Sequence, residues 1–173
     1  TCHMTWRNMD PGSPTHATAD PAHAGRIRQV YRALDAALGQ ALDRAGPDAT
    51  ILVMSDHGFA PWNRAFHVNT WLLNQGYLAV KEDSSRADIE MLRGVDWSRT
   101  RAYALGINGL YLNLAGRERY GIVAPGEAQQ ALLAELKAKL EAVVDPLDGR
   151  RAIKRADRAD QVYHGLLSDT GPD

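Results

Sequence analysis

Apolar and polar positions along the chain alternate between helical spacing and short strand-like runs. Ile27, Val30, Tyr31, Leu34, Leu38, Ala41 and Leu42 fall on one face of a helix that runs to Gly46. Asp20-Pro21 ahead of them is a start signal, a capping side chain and then proline at the first helical position. Gly46 is a natural stop. Leu132, Leu133, Leu136, Leu140 and Val143 predict a second amphipathic helix from about Pro125 to Val144. Val68 to Gln75 reads as a short helix capped by Gly76, Ile89 to Leu92 as one or two helical turns, and Asp160 to His164 as a helical turn. Ile51-Leu52-Val53-Met54 is an unbroken apolar run, as expected of a strand buried on both faces. Residues 1–9, Tyr77-Leu78-Ala79-Val80 and Ala152-Ile153-Lys154 also read as strands. Asn108-Gly109 between residues 101–105 and 109–114 signals a β-hairpin.

Strand, helix, strand over the first 55 residues is the unit of a parallel sheet. The fold class is therefore α/β, a mostly parallel sheet flanked by helices, with a small hairpin-containing insertion. At 173 residues the chain reads as a single domain, 1–173, with residues 77–150 as a cap-like or insertion region. Such a chain buries roughly two thirds of its unfolded surface. Lysine and arginine total 20 against 21 acidic residues, so nothing favours a nucleic-acid or acidic-membrane partner. Cys2 is the only cysteine, which excludes an internal disulfide and a cysteine-rich zinc site. No apolar run approaches the ~20 residues of a membrane span. The chain opens on Thr1 without an initiator methionine and stops at Asp173 without a tail, so it reads as an internal piece of a longer protein.

The candidate chemistry follows the run 51–54. Ser55-Asp56-His57-Gly58 sets a carboxylate and an imidazole at the carboxyl end of the predicted strand, with a glycine for the turn. Sites in open α/β sheets form at such ends. A hard oxygen beside a borderline nitrogen suits zinc, with manganese second. Asp10 also ends a strand-like run and is followed by His16 and His23, so two clusters could share one rim of the sheet. Two neighbouring ions would then hold a phosphoryl or sulfuryl group. Each residue has a plainer reading. Asp10 before Pro11-Gly12 is a turn former, His16 an exposed loop histidine, and Asp56-His57 a polar turn. His3, near the start, has no readable role. The glycines form no nucleotide-cradling loop.

Residues 55–59, Ser-Asp-His-Gly-Phe, followed by Phe66-His67-Val68-Asn69-Thr70-Trp71-Leu72-Leu73-Asn74-Gln75-Gly76-Tyr77-Leu78, resemble the type I phosphodiesterase/nucleotide pyrophosphatase branch of the alkaline phosphatase superfamily. The helix residues 31–39, the segment 108–113, and the end from Val162-Tyr163-His164-Gly165 to Gly171-Pro172-Asp173 extend the likeness over nearly the whole chain. The resemblance implies an alkaline-phosphatase-like fold and a hydrolase with two divalent ions, zinc or manganese. It implies a Thr or Ser nucleophile, lying outside this chain, and a small phosphate ester or nucleotide as substrate. Asp56 and His57 would help bind one ion. Asp10 matches an aspartate of the other, whose companion histidine stands four residues on. Here that place is Pro14, so either His16 reaches the ion or this site is degraded.

Other superfamily activities, those of sulfatases, phosphonate hydrolases and phosphomutases, share this scaffold. An inactive metal-binding homologue and a plain α/β domain without a site complete the alternatives.

Overall fold

The computed structural model describes residues 2–61, 63–85, 88, 91–107, 109–165 and 171–173. The chain divides into two compact units, Thr1–Ala65 and Phe66–Asp173.

The first unit is helical. Residues 2–9 form helix α1, Cys2–Met9, and not the expected strand. The physical reason is local. The Asp10 backbone N–H returns to the Trp6 carbonyl at 3.1 Å, and the Trp6 indole Nε1–H donates to Asp10 Oδ2 at 3.0 Å. A pair four residues apart fits a helical turn and not a strand, where such side chains lie far apart. Asp10 Oδ1 then accepts the Gly12 N–H at 2.9 Å, which turns the chain. The Asp20-Pro21 signal is realised as a cap on the short 3₁₀ turn Pro21–His23, with Asp20 Oδ1 accepting the Ala22 N–H at 2.9 Å. The Asp20 carboxyl is held below the usual carboxylate range, first by that backbone bond and then by His23. Helix α2 follows, Arg26–Ala45, and ends at Gly46 with φ +76°. Of its apolar face only Ile27 is buried, while Tyr31 and Leu34 stay exposed.

The predicted strand 51–54 is not formed. Leu52, Val53 and Met54 are each more than 70% exposed. An apolar run becomes a strand only where a neighbour accepts its ladder bonds, and the described residues supply no such neighbour.

The second unit holds the core. Helix α3, Val68–Asn74, is closed by Gly76 at φ +74°, where Tyr77 and Leu78 donate to the Leu72 carbonyl at 2.8 and 3.2 Å. Strands β1, Ala102–Leu105, and β2, Gly109–Leu112, pair antiparallel with Ala102 opposite Leu112 and Leu105 opposite Gly109. The predicted hairpin is therefore present, although Asn108 of its turn signal lies outside the described residues. A Cβ at Gly109 would meet the Leu105 carbonyl oxygen at 2.9 Å, which explains a glycine there. Asn69 extends this small sheet. Its amide donates to Ala104 O at 2.9 Å and accepts from Ala104 N at 2.7 Å, as a third strand would. Helix α4, Glu127–Glu141, lays Leu132, Leu133 and Leu136 against Leu72, Tyr77, Val95 and Leu112. Helix α5, Ala159–Val162, is one turn.

The sheet among the described residues is this two-stranded hairpin; the parallel sheet is not shown. Tyr77–Val80 makes only the isolated bridge Val80 to Val95, and 152–154 no strand, the nearest bridge being Val144 to Arg151. Of the predicted turn at 89–92, Ile89 and Glu90 lie outside the described residues.

Candidate active site in the first unit

The Ser55–Phe59 turn is built by its own side chains. Ser55 Oγ donates to the His57 carbonyl at 2.7 Å, and the His57 N–H donates to Asp56 Oδ1 at 3.0 Å. The His57 ring nitrogen Nδ1 lies 2.6 Å from the Gly58 carbonyl. A carbonyl oxygen only accepts, so Nδ1 carries the proton and donates. Nε2 makes no hydrogen bond and lies 3.4 Å from Asp56 Oδ2. Both side chains are exposed, Asp56 by 84% and His57 by 56%. The turn thus presents an imidazole nitrogen and a carboxylate oxygen side by side, the two donor types a zinc ion takes.

Around His57 stands an aromatic wall. The His3 ring lies 5.8 Å from the His57 ring, edge to face, and 4.9 Å from Phe59. Phe59 in turn lies 4.8 Å from Trp6. These rings, with Arg7, Ser13 and Thr15, border a cavity of about 570 Å³. His57 is the sole predicted ligand among its lining residues.

Asp10 and His16 are each engaged otherwise. Asp10 spends one oxygen on Trp6 and the other on Gly12. His16 Nδ1 donates to the Arg7 carbonyl at 2.7 Å, which leaves its Nε2 bare as well. Among the described residues no three His, Cys, Asp or Glu side chains are gathered as a metal ion requires. A structural or catalytic zinc site takes three or four protein ligands, so the described residues gather only part of the donor set that an ion needs.

The sequence model of the type I phosphodiesterase / nucleotide pyrophosphatase family matches residues 4–170. The chain belongs to this family. Membership makes phosphate ester hydrolysis the activity to expect, on a small-molecule phosphate ester. Neither the curated proteins nor the solved structures compared with the chain match it. No helix among the described residues is long and apolar enough to cross a membrane.

One residue of this phosphodiesterase-family chain was not legible beforehand. His3 is separated from His57 by most of the first unit, and no local spacing connects them. The signal that existed was its residue type, an imidazole three positions before Trp6 on what proves to be the same helix.

Proposed function

We propose that this chain forms part of a metal-dependent phosphoric ester hydrolase of the phosphodiesterase/nucleotide pyrophosphatase type, on an alkaline-phosphatase-like parallel-sheet scaffold. Asp56 and His57 serve one of two divalent ions, zinc or manganese. Asp10 and His16 serve the other after exchanging their present partners. The remaining ligands, and a Thr or Ser nucleophile that forms the covalent intermediate, come from outside these 173 residues. The observation that carries the reading is the bare Nε2 of His57 beside Asp56 Oδ2, at the edge of an open cavity. Cavities of a few hundred Å³ with a few convergent polar groups are the usual form of small-molecule sites. The test is hydrolysis of bis(p-nitrophenyl) phosphate by the complete protein, with and without a chelator. Turnover that a chelator abolishes and zinc or manganese restores supports the reading. Turnover indifferent to chelation overturns the metal assignment.

A second reading is an inactive homologue with one ion or none. Pro14 at the place of the companion histidine and the double engagement of Asp10 favour it. Metal content of the complete protein separates the two, two ions per chain against one or none. Rates on matched phosphate monoesters, diesters and sulfate esters separate the phosphodiesterase from its superfamily relatives.

A further inference from the structure

The second unit carries a cavity of its own, about 240 Å³, bordered by Trp97, Tyr103, Asn113, Glu118, Arg119 and Tyr120. All of these residues belong to Phe66–Asp173, and none of them borders the cavity beside His57. Trp97 meets Tyr103 at 5.1 Å and nearly perpendicular, so the two rings form a corner. Tyr111 stacks on Tyr103 at 5.5 Å and holds that ring in place. Trp97 and Tyr103 also pack against the buried core. The corner is fixed before any ligand arrives, and fixed aromatic faces take planar rings at low entropic cost.

The polar groups of the lining divide into spent and unspent. Glu118 is spent, with Oε1 accepting from Arg117 Nε at 2.8 Å and Oε2 from the Leu114 N–H at 2.7 Å. The Asn113 amide is spent on three carbonyls, and its unpaired Oδ1 is shut off from solvent. What remains are donors. The Trp97 indole N–H, the Tyr103 and Tyr120 hydroxyls and the Arg119 guanidinium make no hydrogen bond with any described residue. Burial first, and then Glu118, pushes the Tyr103 phenol above its ordinary value, so it keeps its proton. Arg119 lies over the Tyr120 ring, its Cζ 5.2 Å from the ring centre. Glu118 is already paired with Arg117, so Arg119 is the uncompensated charge of the lining. Indole and guanidinium groups donate and never accept. A guest must therefore be flat, rich in acceptors and negative. A quaternary ammonium, the common guest of aromatic cages, would meet the like charge of Arg119.

We propose that this cavity binds a small aromatic carboxylate, its ring in the corner of Trp97 and Tyr103 and its carboxylate on the Arg119 fork. A planar carboxylate matches a guanidinium through two parallel bonds. Such a ligand is neither the ester nor the phosphate of the proposed hydrolysis. The cavity is thus a second site, and the inference does not rest on the hydrolase reading.

The test uses the complete protein and three probes, benzoate, cyclohexanecarboxylate and benzamide, with binding measured by calorimetry. Cyclohexanecarboxylate keeps the charge and lacks the flat ring; benzamide keeps the ring and lacks the charge. Benzoate binds roughly tenfold more tightly than either. Arg119→Ala weakens benzoate roughly tenfold and leaves benzamide within about twofold. Arg119→Lys recovers part of the loss. Trp97→Leu removes the preference for benzoate over cyclohexanecarboxylate. Because Trp97 packs against the core, the melting temperature is read for every variant. If Trp97→Leu unfolds, Tyr120→Leu at an exposed position replaces it, with a reduced ring preference expected. An unchanged preference in the folded ring variant overturns the proposal. So does the absence of benzoate binding, equal affinity for benzoate and benzamide, or unchanged benzoate affinity in Arg119→Ala. Benzoate binding that Arg7→Ala abolishes and Arg119→Ala spares places the ligand in the first unit, and overturns it as well.

Discussion

The imidazole of His3, on the first turn of α1, stands edge to face with that of His57 at 5.8 Å. It joins the start of the chain to the Ser55–Phe59 turn by packing edge-on to His57 and Phe59. If that pair carries the chemistry of this phosphodiesterase-family chain, its neighbour contributes to it.

The first prediction is kinetic. Asp56→Ala and His57→Ala in the complete protein lower kcat/KM for an aryl phosphodiester at least ~100-fold, equivalent to about 2.7 kcal/mol of transition-state stabilisation. His3→Ala lowers it at least ~10-fold, or about 1.4 kcal/mol. All three side chains are largely exposed, so melting temperatures stay within about 2 °C of the parent, as surface changes usually do. Initial rates and thermal melts on the same preparations decide the matter. Near-parental rates for Asp56→Ala remove the basis of the assignment.

Asp10 gives a second prediction, one of stability. Its two oxygens are occupied by the Trp6 indole and the Gly12 amide. Asp10→Ala frees both donors, one exposed and one part-buried, and destabilises the first unit by about 0.5–1.5 kcal/mol, the net worth of a typical hydrogen bond. Asp10→Asn keeps one oxygen acceptor and costs less. Urea titration followed by tryptophan fluorescence measures both. Identical midpoints for the parent and Asp10→Ala mean that the turn does not depend on this carboxylate.

Helix α2 was legible because period and stop agreed, apolar residues at helical spacing and Gly46 after them, whereas Asp20-Pro21 caps the separate 3₁₀ turn Pro21–His23. The hairpin was legible because Asn-Gly flanked by apolar residues has few other uses. Residues 1–9 resemble a strand because Thr, Trp and Met also suit strands, and the Trp6-to-Asp10 bond that decides for a helix is visible only once the turn exists. The run 51–54 shows what the chain would bury, and not against what. In the site, Asp56 and His57 were legible as neighbours in sequence. The position of His3 beside His57 was not, since the two rings lie some fifty positions apart in the sequence.

Asn113, part of the predicted strand 109–114, proves central to the second unit. It is fully buried, and its Nδ2 sits within 3.1 Å of the carbonyl oxygens of Trp97, Thr100 and Tyr120. Three acceptors fix the orientation of the amide, and Oδ1 is left without a partner. Asn113→Ala strands three carbonyls and lowers stability by roughly 2–4 kcal/mol, the scale of several unsatisfied buried acceptors. Asn113→Asp is worse, because a carboxylate would face the same three oxygens. Chemical denaturation of the two variants measures the order. Asp tolerated better than Ala would show that the amide hydrogens are not what those carbonyls need.

Tyr77 supports a prediction at high pH. Its ring is fully buried, its hydroxyl donates to Glu135 Oε1 at 2.5 Å, and Lys139 Nζ donates to the same hydroxyl at 2.7 Å. Burial first, and then the bond to Glu135, push the phenol above its ordinary value of 10.0. The folded state therefore keeps this proton at a pH where the unfolded chain has begun to lose it. The unfolded state binds fewer protons there, so stability falls as pH rises through about 10 and onward to the raised folded value. Tyr77→Phe has no such proton and lacks this part of the decline. It loses the bonds to Glu135 and Lys139, so it is less stable than the parent at pH 8, by about 1–2 kcal/mol. The gap narrows toward pH 11. Urea unfolding at pH 8, 9, 10 and 11 traces both curves, and parallel curves would mean that the buried phenol does not titrate with unfolding.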